Sequence, residues 1–190
     1  MFGFGRRRHQ RIGFALYGAV VAAARSPAFY RDLGVPDTLD GRFDLVGLYA
    51  SLLILRLETD PPLGHALAQA VFDAMFSDMD VNLREMGVGD LSVGKRVKAM
   101  WTAFHGRAQA YAAALAEPDP SRLEAALARN VWRGKAEAKD AAALARLVES
   151  EQRHLAEQPL AELTQGSVRF LIQSLPTLTP GSDRSRVAGA

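Results

Sequence analysis

Apolar residues recur at spacings of three and four along most of this chain, and the alternation expected of half-buried strands is almost absent. That period predicts helices. The clearest stripe, Val97, Trp101, Phe104, Ala108, Tyr111 and Leu115, predicts a helix over 90–117 with this face buried. Leu45, Leu48, Leu52 and Leu55 place a second stripe on a helix over 42–58. A first helix is expected over 10–25, ending before Pro27, and a helical turn over 27–33, stopped by Gly34 and Pro36. Segment 35–41 reads as a loop. Pro61 and Pro62 open a helix running to about Met79, after which Asp80 caps a short turn ending at Gly87. Pro118 and Pro120 break the long helix. Ser121 with Glu124 has the capping-box pattern and launches a helix to about Trp132. Two more helices fill 136–157 and 160–175 before Pro176, Pro180 and a polar tail. The expected fold is all-α: a single compact multi-helix domain over 12–176. A basic tail, 1–11, precedes it, and a flexible tail, 177–190, follows.

Composition narrows the chemistry. At 190 residues, 48% apolar and 23% charged, the chain is long enough to bury one core and too apolar for global disorder. It has no cysteine, which excludes disulfides, thiolate metal sites and cysteine nucleophiles together. A net charge of +2 does not predict a nucleic-acid binder. Placement of the charge says more: Arg6, Arg7, Arg8 and Arg11 crowd the start, interleaved with Phe2 and Phe4, a pattern suited to an anionic membrane surface. The apolar run 12–24 falls short of the ~20 residues that cross a bilayer. Basic start, apolar run and Ala22–Ala24 together imitate a signal peptide.

Three motifs imitate chemistry without completing it. Gly89 to Lys95 matches the first positions of a phosphate-binding loop, but Arg96 stands where the magnesium-binding Ser or Thr belongs, and the preceding segment reads as helix. Asp78, Asp80 and Asn82 open like a calcium loop, but Arg84 and Gly89 occupy the positions that need Gly and Glu. Glu151 and His154 have the spacing of a di-iron bundle, yet no second such pair exists, so His154 reads as a solvated surface residue. The acidic block Asp73, Asp78, Asp80, Glu85 and Asp90 is expected to bind no metal and to pair with cations among Arg42, Arg84, Lys95, Arg96 and Arg107. No nucleophile elbow, dinucleotide fingerprint or acid/base pair names a catalytic residue.

Several separated blocks carry a resemblance. They are 20–30 (VVAAARSPAFY), 34–44 (GVPDTLDGRFD), 72–80 (FDAMFSDMD), 82–96 (NLREMGVGDLSVGKR), and Phe104-His105-Gly106-Arg107 with Ala110-Tyr111. In this order they resemble the ubiquinol–cytochrome c chaperone family over about 14–133. The resemblance implies a helical, non-enzymatic assembly factor for respiratory complex III that binds cytochrome b or its nascent chain. It implies no cofactor, no small-molecule substrate and no specific nucleic acid; mitochondrial members also work with a small partner subunit. It places the chain in the cytoplasm, peripheral to the inner membrane, and keeps the first helix in the domain rather than in a cleaved leader.

Because the strongest blocks are polar and glycine-rich, the candidate partner-binding residues are Asp37, Arg42, Asp78, Asp80, Arg84, Glu85, Asp90, Lys95, Arg96 and Lys98. Phe2, Phe4, Arg6, Arg7, Arg8 and Arg11 are the candidate membrane contacts. Two rival readings stay open at this point: a metal-dependent helical enzyme using 73–90, and a generic membrane-surface or RNA-binding helical module.

Overall fold

The computed structural model describes residues 2–175, with side chains from residue 7 onward, and no strand occurs among them. The elements are α1 (Phe2–Ala24), α2 (Pro27–Arg31), α3 (Leu39–Glu58), α4 (Leu63–Glu85), α5 (Asp90–Ala116), α6 (Pro120–Val131), α7 (Ala138–Glu157) and α8 (Leu160–Leu163), followed by a 3-10 turn, Leu171–Ser174. The tail expected over 177–190 lies outside the described residues. Backbone from Phe2 through Arg11, read as a tail from sequence, is helical and continuous with α1.

α3 is the central helix because it is apolar on every side at its middle. All residues of 44–53 are buried, and it packs on α1, α4, α5 and α7. Its Tyr49 ring meets Phe29 and Phe170 edge-on, with centroids 5.8 and 5.2 Å apart. Thr38 begins the helix by accepting a hydrogen bond from the Gly41 N–H at 3.1 Å. Near its other end, Arg56 donates to the Leu155 and Gln158 carbonyls at 2.9 and 2.7 Å, so α3 supplies further donors at the C-terminal end of α7.

α1 and α4 lie close enough that a Cβ at Gly13 would stand 2.8 Å from the Ala70 Cβ and 2.5 Å from the Ala70 carbonyl oxygen. Four residues on, the Tyr17 hydroxyl donates to Asp78 at 2.8 Å. The two helices therefore run the same way, and α3, joined to α4 by the short connector 59–62, runs opposite. By length and composition Arg7–Arg31 reaches what a membrane crossing needs, more than the 12–24 run taken from sequence. Half of that window is buried, with Ile12, Leu16, Tyr17 and Val20 in the core.

Four local expectations change. First, α4 continues to Glu85, past the turn expected at Asp80, because Met79 and Leu83 carry its apolar face onward; Gly87, at φ +79, ends it with the Val88 N–H on the Leu83 carbonyl. Second, α6 is capped by Asp119, which accepts from the Ser121 N–H at 3.0 Å, and not by Ser121; Pro120 fits the first helical position because no N–H is needed there. Third, α5 buries Phe104 and Tyr111 from the expected stripe, but Val97 and Leu115 are half-buried and Trp101 is 46% exposed. The first half of α5 is mostly exposed, with Val93 the buried residue there. Fourth, the helix expected over 160–175 stops at Leu163. Gly166 adopts φ +81, and the chain returns across α7 as a strap.

The Gly13 contact yields a direct test. Gly13→Ala is expected to destabilise the fold by about 1–3 kcal/mol, since backbone must shift. Gly18→Ala, where nothing lies within 4 Å, is expected to stabilise it by up to about 1 kcal/mol. Urea midpoints measure both, and equal midpoints would mean that α1 does not rest on α4 through Gly13.

Candidate interaction surface

Two buried carboxylates hold the elements that carry the candidate residues. Asp44, in α3, is 1% exposed and shared by Arg107 of α5 and Arg133 of the α6–α7 connector. Arg133 donates to it from Nη2 at 3.1 Å and Nε at 3.3 Å, with its own backbone at φ 56, a left-handed conformation uncommon outside glycine. Burial pushes the Asp44 carboxyl above its usual range, while Arg107 and then Arg133 pull it back. Beside this triad, the Trp132 indole N–H donates to the Leu33 carbonyl at 3.1 Å, fastening the same connector to the start of the 34–44 loop.

Glu151 is the second. It is fully buried in α7 and accepts the Leu171 and Ile172 N–H groups at 2.8 and 2.9 Å and the Tyr49 hydroxyl at 3.3 Å. Desolvation raises its carboxyl pKa, against those three donors. The Glu151–His154 spacing that imitated a metal motif thus marks the anchor of the C-terminal strap. Gln158 assists, accepting the Arg169 N–H and donating to the Arg169 carbonyl at 2.9 and 2.8 Å.

The sequence candidates fall outside these clamps. Arg42, in the first turn of α3, pairs with Asp37 of the preceding loop at 2.6 Å, which lowers the Asp37 pKa. Arg84 bridges Asp80, at 2.7 Å, and Asp90, tying the end of α4 to the start of α5. Asp78 accepts from Tyr17, and burial first, then that bond, raise the tyrosine pKa. Asp73 accepts from Gln69 at 2.7 Å. Of the expected cations, Arg84 pairs with the acidic block, whereas Arg42 and Arg107 turn to Asp37 and Asp44. Glu85, Lys95, Arg96 and Lys98 are exposed, and among the described residues none of the three cations forms an ion pair. Arg7, Arg8 and Arg11 sit on the first turns of α1; the side chains of Phe2, Phe4 and Arg6 lie outside the described residues. Among the described residues, no three His, Asp or Glu side chains are grouped as a metal site requires.

Helix directions settle how these groups relate. The 34–44 loop, the end of α4 and the start of α5 gather at one end of the bundle, although no hydrogen bond or ion pair joins 34–44 to 78–98. The start of α1 lies beside Ala66 and Gln69, towards the other end of α4. At 1.5 Å per residue, the α4 segment 66–86 puts roughly 30 Å between the two regions. A cleft of about 490 Å³ that sequence reasoning missed opens between α3, α4 and α5, lined among others by Ile54, His65, Phe72, Phe104 and His105. Phe72 and Phe104 face each other there at 5.8 Å, from helices whose pairing no local pattern announces.

Comparison with known proteins agrees with this architecture. A family model described as "Ubiquinol-cytochrome C chaperone" matches residues 31–170, which contain the Asp44 triad and Glu151. A crystal structure of the Cbp3 homolog from Brucella abortus superposes with a TM-score of 0.77 at 36% sequence identity, covering 86% of this chain and 91% of that one. No curated protein matches.

The triad predicts a graded response to substitution. Arg107→Ala is expected to remove about 3–5 kcal/mol of stability, because it strips the better-buried partner from a carboxylate that cannot reach water. Arg133→Ala is expected to remove less, since 53% of that side chain is already exposed. Denaturant unfolding measures both. Equal, small losses would show that Asp44 does not depend on its partners.

Proposed function

The chain belongs to the ubiquinol–cytochrome c chaperone family, and from that premise we propose that it is a non-enzymatic chaperone whose client in complex III assembly is cytochrome b or its nascent chain. The carrying observation is the family match, which spans residues 31–170, from the end of α2 to the residue before the 3-10 turn. The way the molecule uses buried charge supports the non-enzymatic reading. Asp44 is committed to two arginines and Glu151 to backbone amides, and a general acid or base needs a group free to exchange its proton with a substrate.

We place the protein in the cytoplasm, peripheral to the inner membrane, where a membrane-protein client is inserted. The recognition surface in this reading is the bundle end that holds the 34–44 loop and segment 78–98. Its candidate residues are Asp37, Arg42, Asp78, Asp80, Arg84, Glu85, Asp90, Lys95, Arg96 and Lys98. A small partner subunit would use the same end.

Co-purification from native membranes tests the client. Cytochrome b is expected to accompany the tagged protein, and deletion of the gene is expected to lower complex III levels. Charge reversal at Arg42, Lys95 and Arg96 is expected to lower complex III while changing folding stability by no more than about 0.5 kcal/mol per site, as exposed positions allow. Normal complex III with a stable triple variant would move the recognition surface elsewhere.

A further inference from the structure

The end of α4 and the first half of α5, joined by the Arg84–Asp90 pair, form an arm with an unusual surface. Met86 is 50% exposed at the end of α4, and Leu91, in the first turn of α5, is 100% exposed. Trp101 stands 46% exposed further along, its ring edge-on to His105 with centroids 4.2 Å apart. Leu39, 62% exposed at the start of α3, belongs to the same bundle end. Isolated exposed apolar residues are ordinary; several at one end, set among unpaired cations, are not.

The cations follow a helical register. Positions 91, 95, 98 and 102 recur at spacings of four, three and four, so Leu91, Lys95, Lys98 and Thr102 share one face of α5. That face lies opposite Val93, Phe104 and Tyr111, the residues buried against the bundle. Arg84 is shared between Asp80 and Asp90, and within 80–98 four cations (Arg84, Lys95, Arg96 and Lys98) face three carboxylates (Asp80, Glu85 and Asp90), a net of +1 with the three unpaired cations all on α5.

We propose that this α4–α5 arm is a docking face for an anionic membrane surface. Lys95 and Lys98 share the exposed face of α5 with Leu91, so a bilayer meeting that face takes cations at the headgroup level and an apolar side chain towards the acyl boundary, with Met86 and Trp101 exposed on either side of it. The arm's shape favours lipid over the alternatives. A client helix needs a concave groove, and a fully exposed Leu91 lines none. RNA attracts the lysines but offers no apolar phase to Leu91 or Met86. Docked this way, the proposed recognition end faces the bilayer and the arginines on α1 point away from it. The inference rests on the proposed function only in placing a bilayer beside the protein.

Vesicle binding by the purified full chain tests it without any client. The protein is expected to co-sediment with phosphatidylcholine vesicles that contain phosphatidylglycerol, to bind pure phosphatidylcholine far less, and to dissociate as salt is raised. Binding is expected to shift tryptophan emission to the blue. Trp101→Phe abolishes the shift, since Trp132 is buried and already hydrogen-bonded. Lys95→Gln with Lys98→Gln lowers partitioning on the order of 30-fold, and Leu91→Asp lowers it on the order of 10-fold. Arg7→Gln, Arg8→Gln and Arg11→Gln together leave it within a few-fold. Unchanged circular dichroism and melting temperature confirm that the variants are folded. Wild-type binding by Leu91→Asp, or loss of binding in the α1 triple variant, overturns the proposal. Loss on lysine substitution alone, accompanied by tight binding of polyuridylate, overturns it in favour of RNA. Absence of vesicle binding leaves the cytochrome b reading intact, and absence of cytochrome b leaves the vesicle result intact.

Discussion

A carboxylate with almost no access to water, Asp44, is shared by two guanidinium groups that come from elements distant in sequence. A lone buried charge is costly, so α3, α5 and the α6–α7 connector gain from assembling together. The triad also holds Arg133 in a backbone conformation that nothing in its local sequence favours. With Arg107 held level with the start of α3, the direction of α5 is set, and its first half lies at the end of the bundle where α4 finishes.

Glu151 imposes a similar constraint at the C-terminal strap. Its oxygens take two backbone N–H groups of the 3-10 turn and the hydroxyl of Tyr49, whose ring is the aromatic centre of the core. The strap, α7 and α3 are thereby joined without any cation, which makes the site a satisfied polar network inside an apolar shell. Between the two clamps the core is satisfied without the exposed cations Lys95, Arg96 and Lys98 at the bundle end. Such a division suits a protein that works by presenting surfaces.

Family-like blocks in the sequence mix these two duties. Gly34 to Asp44 and Phe104 to Arg107 read as one kind of signal, yet Asp44 and Arg107 meet inside while Asp37 and Arg42 pair in water. Lys95 and Arg96, next to a misleading glycine pattern, turn out exposed and without ion pairs. Charge type and spacing do not separate these cases. An arginine 63 positions from its carboxylate carries no local mark of the partner it will meet.

What the sequence by itself determined is the local order: helices of nearly the right extent, the prolines and glycines that end most of them, the leucine face of α3, and the family blocks. Those follow from short-range physics, since helical period, backbone donors and φ preferences act within a few residues. What only the tertiary structure decided is which faces are covered. Trp101 lies on the predicted stripe but is left 46% exposed by the helices around α5, Glu151 resembles a surface glutamate but is buried by a strap that returns from residues 167–175, and the acidic block is divided among Tyr17, Arg84 and Gln69. Burial and pairing are set by where helices end relative to one another, a long-range quantity that no window of the sequence contains.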